Sequence, residues 1–229
     1  MTCLQLPVGI PHIAKDGKIL NSCARIGRKI GSGRHGTAYD GILNGEKVCF
    51  KKHLTGWSNA FISNPAKHEY GRLVQARADL AGIENSLQAP IGWYKDPLVG
   101  AVLVTSLIRD YNGAPSRSLE ETAVITPSFL QELEGIFEYV ADTGSFYNPT
   151  PANILVQRIS PTESHPVLID FTNYENYLHY PVKGVACLLS AGNKVRHVAK
   201  WLHATITVAR GKVDAGNTIS FNELRLPSR

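Results

Sequence analysis

The chain reads FYNPTPANILV at residues 146–156 and, after a polar turn, PVLIDFT at residues 166–172. Each segment contains a short apolar run, and the polar residues 160–164 between them are typical of a loop. We therefore predict a hairpin of two short buried strands. Antiparallel pairing would bring Asn153, just before the first strand, and Asp170, just after the second, to the same end of the hairpin.

The shared end of this hairpin is a candidate metal site. Asp170 offers a carboxylate and Asn153 an amide oxygen, and Mg²⁺ prefers oxygen ligands and completes its shell with water and phosphate. Asn and Asp are also common turn formers, so a turn Asn and a strand-end Asp without a ligand are the simpler alternative. The hairpin alone leaves both interpretations open.

A glycine-rich turn lies nearer the start of the chain. Residues 31–38 read GSGRHGTA, which matches the pattern Gly-x-Gly-x-x-Gly. In a dinucleotide-binding fold the glycines would open a helix, but here the following residues and an Asn-Gly turn predict a second strand. The pattern favours a hairpin whose backbone N–H groups close over phosphates, with an ordinary glycine-rich hairpin as the alternative. The candidate nucleotide-binding residues in this turn are Gly31, Ser32, Gly33, Arg34, His35 and Gly36.

The strand predicted after this turn carries a lysine. The apolar residues 48–50 precede Lys51, whose ammonium group would project into a cleft and meet phosphates as a point charge. Lys52 would point to the opposite face of the strand. The alternative for Lys51 is a strand-edge residue that keeps the protein soluble.

A helix is predicted over residues 64–80, with a cap at Asn64 and an early proline. Glu69 on this helix can reach Lys51, although a solvated glutamate favoured by the helix dipole explains its position equally well. The stripe predicted to face the core consists of Tyr70, Leu73, Val74, Arg77 and Leu80.

Together these segments resemble the protein-kinase fold, in which a catalytic loop ends in Pro-x-Asn-Ile-Leu-Val and a later strand is followed by Asp-Phe-Gly. The corresponding segments here are residues 151–156 and 170–172. The resemblance implies that Lys51, oriented by Glu69, contacts the phosphates of ATP. It also implies that Asn153 and Asp170 bind Mg²⁺.

The resemblance further implies a compact bilobal α+β fold. We expect residues 1–104 to form an N-terminal lobe of antiparallel sheet and helix. Residues 105–229 would form an abbreviated helical lobe that carries the catalytic-loop hairpin. That second lobe would lack the large helical platform that presents peptides in ordinary protein kinases.

The chain departs from the kinase pattern at two positions. The Asp that accepts the proton of the substrate hydroxyl lies five residues before the metal-binding Asn, and here that position is Asn148. Thr172 replaces the final glycine of Asp-Phe-Gly, so we do not expect the usual mobile flip of that segment. Asn148 and Asp170 are the candidate catalytic residues, because phosphoryl transfer depends mainly on positioning and electrostatic stabilisation.

Among kinase-like proteins, the chain from about residue 28 onward resembles the bacterial PhoP-regulatory-network family typified by YrbL. The resemblance rests on IGSGRH at residues 30–35, NIL at 153–155 and QRIS at 157–160. It implies a small kinase-like fold in a family that also lacks the usual catalytic Asp. It implies much less about a substrate.

Composition sets broader limits. The 229 residues are 43% hydrophobic and 19% charged, which describes a soluble globular protein, and no apolar run is long enough to span a membrane. The four cysteines are scattered, which favours a reducing cytoplasm over a secreted disulfide framework. The net charge of +5 suits acidic partners such as nucleotides without choosing among them.

Two functions from different classes follow. The first is an atypical ATP- and Mg²⁺-dependent phosphotransferase that acts on an unknown acceptor. The second is a catalytically weak pseudokinase that regulates a protein partner through a nucleotide-dependent conformation. A nucleic-acid-binding module is a weaker third interpretation, because the chain lacks interleaved aromatic residues or a recognised binding motif.

Overall fold

The structure is a computed structural model that describes residues 12–21, 24–33, 36–54, 64–96, 100–146, 150–172, 174–176 and 202–213. Internal contacts divide the chain into two compact units, Met1–Ala78 with Gln88–Ile108 and Asp79–Leu87 with Arg109–Arg229. The predicted lobes, 1–104 and 105–229, stay a prediction, because a division by contacts does not test which segments fold independently.

The first unit is built on an antiparallel sheet. The strands of this unit are β1 (His12–Ile13), β2 (Ile19–Asn21), β3 (Ala24–Gly33), β4 (Gly36–Leu43), β5 (Glu46–His53), β6 (Pro90–Asp96) and β7 (Gly100–Ser106). The order in the five-stranded sheet is β3-β4-β5-β7-β6, and β1 and β2 form a separate hairpin. A tight turn joins β4 to β5 at Asn44 and Gly45, both with positive φ, as the Asn-Gly pair predicts.

The two faces of this sheet pack against different parts of the first unit. Alternation along β5 places Val48 and Phe50 in one apolar cluster, which also contains Val102 and Val104 of β7. The other face packs against α1 (Pro65–Asp79), with Ala66 of the helix in a cluster of buried residues that includes Trp93, Ala101 and Leu103. Lys51 alternates with Phe50 and therefore lies on the α1 side.

The stripe predicted to face the core is confirmed in part, since Leu73 and Leu80 are buried and Tyr70 packs against the cluster that contains Ala66. Val74 is 42% exposed, so its place in the predicted stripe was wrong. The spacing of three and four residues keeps the four buried positions of the helix on one face. The buried face consists of Ala66, Glu69, Leu73 and Ala76.

The second unit combines short strands with helices. Its elements are a 3₁₀ segment (Ala81–Ser86), β8 (Arg117–Ser118), α2 (Pro127–Asp142), β9 (Ser145–Phe146), a 3₁₀ turn (Pro151–Asn153), β10 (Ile154–Arg158), β11 (Ser164–Leu168) and β12 (Glu175–Asn176). Residues 202–213 are also helical. The sheet β11-β10-β8 contains the predicted hairpin, which is confirmed as antiparallel, with Ile154 opposite Leu168.

One histidine joins three elements of the second unit. His165 of β11 places Nδ1 2.7 Å from Oε1 of Glu132 on α2. Its Nε2 lies 3.3 Å from Ser86 Oγ and 3.3 Å from the carbonyl oxygen of Asn85, at the end of the 3₁₀ segment. These contacts tie the segment that follows α1 to the hairpin.

No helix among the described residues is both long and apolar enough to cross a membrane.

Cys49 gives a measurable consequence of burial in the first unit. Burial raises the pKa of its thiol from the ordinary value of 9.0 to about 11, against the opposing hydrogen bond with Thr105. Below the unfolded pKa both states keep the proton and stability is unaffected. Between these two values the unfolded state ionises while the folded state does not, so stability falls as pH rises.

We expect this thiol to lower the free energy of unfolding by about 2 kcal/mol when the pH rises from about 8 to about 10.5. Urea unfolding of the wild type and Cys49→Ala at both pH values isolates the effect, because every other titrating group is common to the two proteins. The stability difference between them should shift against the wild type at the higher pH. An unchanged difference would contradict the assignment.

Candidate functional site

The centre of the candidate site in the first unit is an ion pair between a partly buried lysine and a buried glutamate. Lys51 Nζ on β5 lies 2.8 Å from Glu69 Oε1 on α1, and the two side chains are 17% and 3% exposed. This is the pairing that the kinase resemblance implies. A solvated glutamate and a strand-edge lysine were the alternatives, and both are wrong, because Glu69 is buried and β5 lies inside the sheet.

Local structure explains how the two charges meet. The α1 helix begins after Asn64, whose Oδ1 accepts a hydrogen bond from the backbone N–H of Lys67 at 3.0 Å. This start places Glu69 in the second turn, on the same face as Ala66 and Leu73. Because that face packs on the sheet, the Glu69 carboxylate is directed at the side of β5 that carries Lys51.

A third side chain in this group was not predicted. His53 Nε2 lies 3.3 Å from Glu69 Oε2, and its side chain is only 2% exposed. The sequence contained one signal for it: residues two apart on a strand share a face, so His53 had to lie on the side of Lys51. The two oxygens of the Glu69 carboxylate therefore face two different basic groups from one strand.

The glycine turn forms the hairpin that joins β3 and β4, as predicted, and does not open a helix. Gly31 pairs with Ala38 and Gly33 with Gly36 across the hairpin. A Cβ at Gly36 would lie 2.4 Å from the carbonyl oxygen of Lys52, so close packing against β5 requires glycine there. A Cβ at Gly31 or Gly33 would meet no described atom within 4 Å, so packing does not explain these two glycines.

The candidate metal ligands lie in the second unit. The backbone N–H of Ile169 donates to the carbonyl oxygen of Asn153 at 2.9 Å, which closes the hairpin just beyond the Ile154 and Leu168 pair. Asn153 and Asp170 consequently lie at the same end, as predicted. Their amide and carboxylate oxygens fit Mg²⁺, which is commonly held in proteins by one or two carboxylates with water and phosphate.

Among the residues that the structure describes, no three His, Cys, Asp or Glu side chains form a metal cluster. A site in this hairpin would therefore need oxygen atoms from water or phosphate as well. This is the normal situation for Mg²⁺ in phosphoryl-transfer sites.

Asp170 has an unusual backbone conformation. Its φ is 63°, in the left-handed region that Asp tolerates better than most residues. Thr172 Oγ1 donates a hydrogen bond of 2.7 Å to Asp170 Oδ1, while the neighbouring Phe171 ring is buried. The residue that replaces the kinase glycine thus fixes one oxygen of the candidate metal ligand. This contact was not predicted, because it depends on the left-handed turn.

The remaining predicted site residues lie outside the described part of the chain. They are Arg34 and His35 of the glycine turn and Asn148 of the catalytic loop. Of the others, Gly31, Ser32, Gly33, Gly36, Lys51 and Glu69 belong to the first unit, and Asn153 and Asp170 to the second.

The crystal structure of the BubR1 kinase domain is similar to this structure, with a TM-score of 0.52 at 17% sequence identity. The match covers 79% of this chain and 56% of that chain, so this chain spans little more than half of the kinase domain it resembles. At this identity the likeness shows the fold alone. The chain therefore has a kinase-like fold, which mixes helices with an antiparallel sheet.

No protein-family model matches the chain, and no curated protein matches it. The resemblance to the PhoP-regulatory-network family stays a prediction.

Proposed function

We propose that the protein binds Mg²⁺-ATP and acts as an atypical phosphotransferase on an acceptor of unknown identity. The observation that carries this proposal is the buried ion pair between Lys51 and Glu69. A buried pair of charges is a costly way to stabilise a fold, because desolvation offsets much of the attraction between the charges. Its position in a kinase-like sheet suits a role in holding a lysine ready for phosphate.

In this proposal the first unit binds the phosphates. The ammonium group of Lys51 neutralises the phosphates that are not transferred, and Glu69 fixes its position. The glycine hairpin contributes backbone N–H groups, and Gly31 and Gly33 leave room for phosphate to approach the backbone. This chemistry accounts for two glycines that packing among the described residues does not require.

In the second unit, Asn153 and Asp170 would hold Mg²⁺. These two residues would thereby supply the positive charge of the cation to the phosphates. Thr172, through its hydrogen bond to Oδ1, keeps the Asp170 carboxylate in one orientation. Asn148 would orient the acceptor hydroxyl by accepting a hydrogen bond through its amide oxygen.

The second candidate is a pseudokinase that binds nucleotide and signals to a protein partner through its conformation. Asn148 favours it, because an amide cannot take the proton that a catalytic-loop Asp accepts. Transfer of label from ATP to an acceptor, or to the protein itself, separates the two candidates.

The scattered cysteines, of which Cys49 is a buried free thiol, suit a reducing cytoplasm in either case.

Nucleotide binding is tested by calorimetry and thermal melting with Mg²⁺-ATP. A ligand that binds only the folded state stabilises it by an amount set by the ratio of ligand concentration to Kd, about 2.7 kcal/mol at 100 times Kd. We therefore expect the melting temperature to rise with nucleotide concentration. Saturating Mg²⁺-ATP that leaves the melting temperature unchanged and gives no heat would refute the proposal.

Two substitutions separate the phosphate and metal contacts. Asp170→Asn should weaken binding of ATP in the presence of Mg²⁺ far more than binding in its absence, because it removes a charged oxygen ligand. Lys51→Met should weaken both. Kd values should be taken from calorimetry well below the melting temperature, because Lys51→Met also lowers stability. Equal behaviour of the two variants would contradict the assignment of roles.

A further inference from the structure

His53 lies at the junction of three parts of the first unit. It is the last residue of β5, and its partner across the sheet is Gly36, the first residue of β4 after the glycine turn. Its buried ring reaches Glu69 on α1. One residue thus touches the base of the glycine hairpin through the backbone and the lysine's partner through its side chain.

The contact with Glu69 complements the one made by Lys51. Lys51 Nζ holds Oε1 at 2.8 Å, and His53 Nε2 lies 3.3 Å from Oε2. The histidine contact is at ion-pair distance and does not have the geometry of a hydrogen bond. A carboxylate held at one oxygen can still rotate about its last bond, whereas contacts at both oxygens fix its plane.

Burial makes these contacts consequential. The side chains of Glu69 and His53 are 3% and 2% exposed, so water does not compete effectively for either. Electrostatic interactions are stronger in such surroundings than at the surface. Lys52, the neighbour of Lys51 on β5, points to the opposite face and cannot substitute for either basic group.

We propose that His53 is a positioning residue: it holds the second oxygen of Glu69, so that Glu69 keeps Lys51 fixed beside the base of the glycine hairpin. The coupling between His53 and Glu69 stands on the geometry alone. Its consequence for phosphate binding rests on the proposed function. The two parts are tested by separate measurements.

The coupling is measured by a double-mutant cycle in urea unfolding with His53→Leu and Glu69→Gln. We expect a coupling of about tenfold in the unfolding equilibrium constant, within the range for residues in contact. His53→Gln, which keeps a polar group, should retain part of the coupling and provides a second variant if His53→Leu fails to fold. His203→Gln, at an exposed position in the second unit, is the control and should be additive with Glu69→Gln. Additivity of both His53 variants with Glu69→Gln overturns the proposal.

The consequence for phosphate is measured by calorimetry with ATP and with adenosine, which has no phosphate. His53→Leu should weaken ATP binding by about tenfold and adenosine binding by less than about twofold, the gap expected when only the lysine contact is disturbed. In a Lys51→Met background the His53 effect on ATP should vanish. An equal loss of ATP affinity in that background overturns the positioning role. If the wild type binds neither ligand, the proposed function fails, and the unfolding cycle still decides the coupling.

Discussion

Lys51→Met should destabilise the protein by about 3 kcal/mol, the lower end of the range for breaking a buried ion pair. The substitution removes the ammonium group but leaves the Glu69 carboxylate at 3% exposure, where water cannot replace the lost partner. His53 remains 3.3 Å from the other oxygen and limits the cost. The measurement is the free energy of unfolding from urea titration.

Replacing both charges should behave differently from replacing one. In Lys51→Met/Glu69→Leu the carboxylate that the single substitution strands is removed as well, and replacing a buried ion pair by apolar residues is often neutral or stabilising. We expect the double variant to recover part of the stability that Lys51→Met loses, because the contact of Glu69 with His53 is lost with the carboxylate. This recovery would show that the single substitution acts through the stranded carboxylate and not through lost packing.

Lys52→Met is the matched control, because Lys52 is adjacent on β5 and points to the other face. It is only partly buried and should change stability by no more than about 0.5 kcal/mol. If Lys51→Met costs no more than Lys52→Met, the ion pair contributes nothing measurable to the fold. The double variant would then have nothing to recover.

The sheet and the hairpin were predictable because their signals are local. Alternation along residues 48–51 separates Phe50 from Lys51, and the Asn-Gly pair fixes the turn before them. The ends of the second hairpin follow from the same reasoning, which brings Asn153 and Asp170 together. Antiparallel pairing leaves little freedom once the strands and the loop between them are located.

The buried face of α1 was less predictable, because hydrophobicity alone ranks Val74 above Ala66 and Ala76. In the structure Ala66 and Ala76 are buried on the same face as Glu69, which contacts Lys51. The phase of a helix depends on what it packs against. A hydrophobicity pattern counts Glu69 as polar and Val74 as apolar, and therefore predicts the wrong one of these two residues to be buried.

Two contacts could not be read from residue order. The spacing of His53 from Lys51 puts the two on one face of β5, although His53 was not predicted as a site residue, and its distance to Glu69 depends on how α1 packs on the sheet. The hydrogen bond from Thr172 to Asp170 depends on the left-handed conformation at Asp170. In both contacts a residue that the kinase pattern does not specify, His53 or Thr172, restricts the orientation of a predicted site residue, Glu69 or Asp170.

The largest effect on activity is expected at Asn148. If the chain is a phosphotransferase, Asn148→Asp should raise transfer by about 10²- to 10⁴-fold, the usual contribution of a positioned general base. The carboxylate would accept the proton of the attacking hydroxyl, which the amide of the wild type cannot do. The wild type should show only trace autophosphorylation or ATP hydrolysis. The measurement is the initial rate of label transfer and of phosphate release from γ-labelled ATP.

Asp170→Asn in the Asn148→Asp background is the control, because a gain that depends on an assembled metal site should disappear with it. ATP labelled at the α-phosphate distinguishes the chemistry, since phosphoryl transfer leaves that label in ADP and nucleotidyl transfer moves it to the acceptor. A rate that stays at the trace level in Asn148→Asp, although Mg²⁺-ATP still binds, would favour the pseudokinase. Robust wild-type turnover that falls in Asn148→Asp would instead mean that the amide serves a different reaction, and the account of a kinase with a lost base would have to be abandoned.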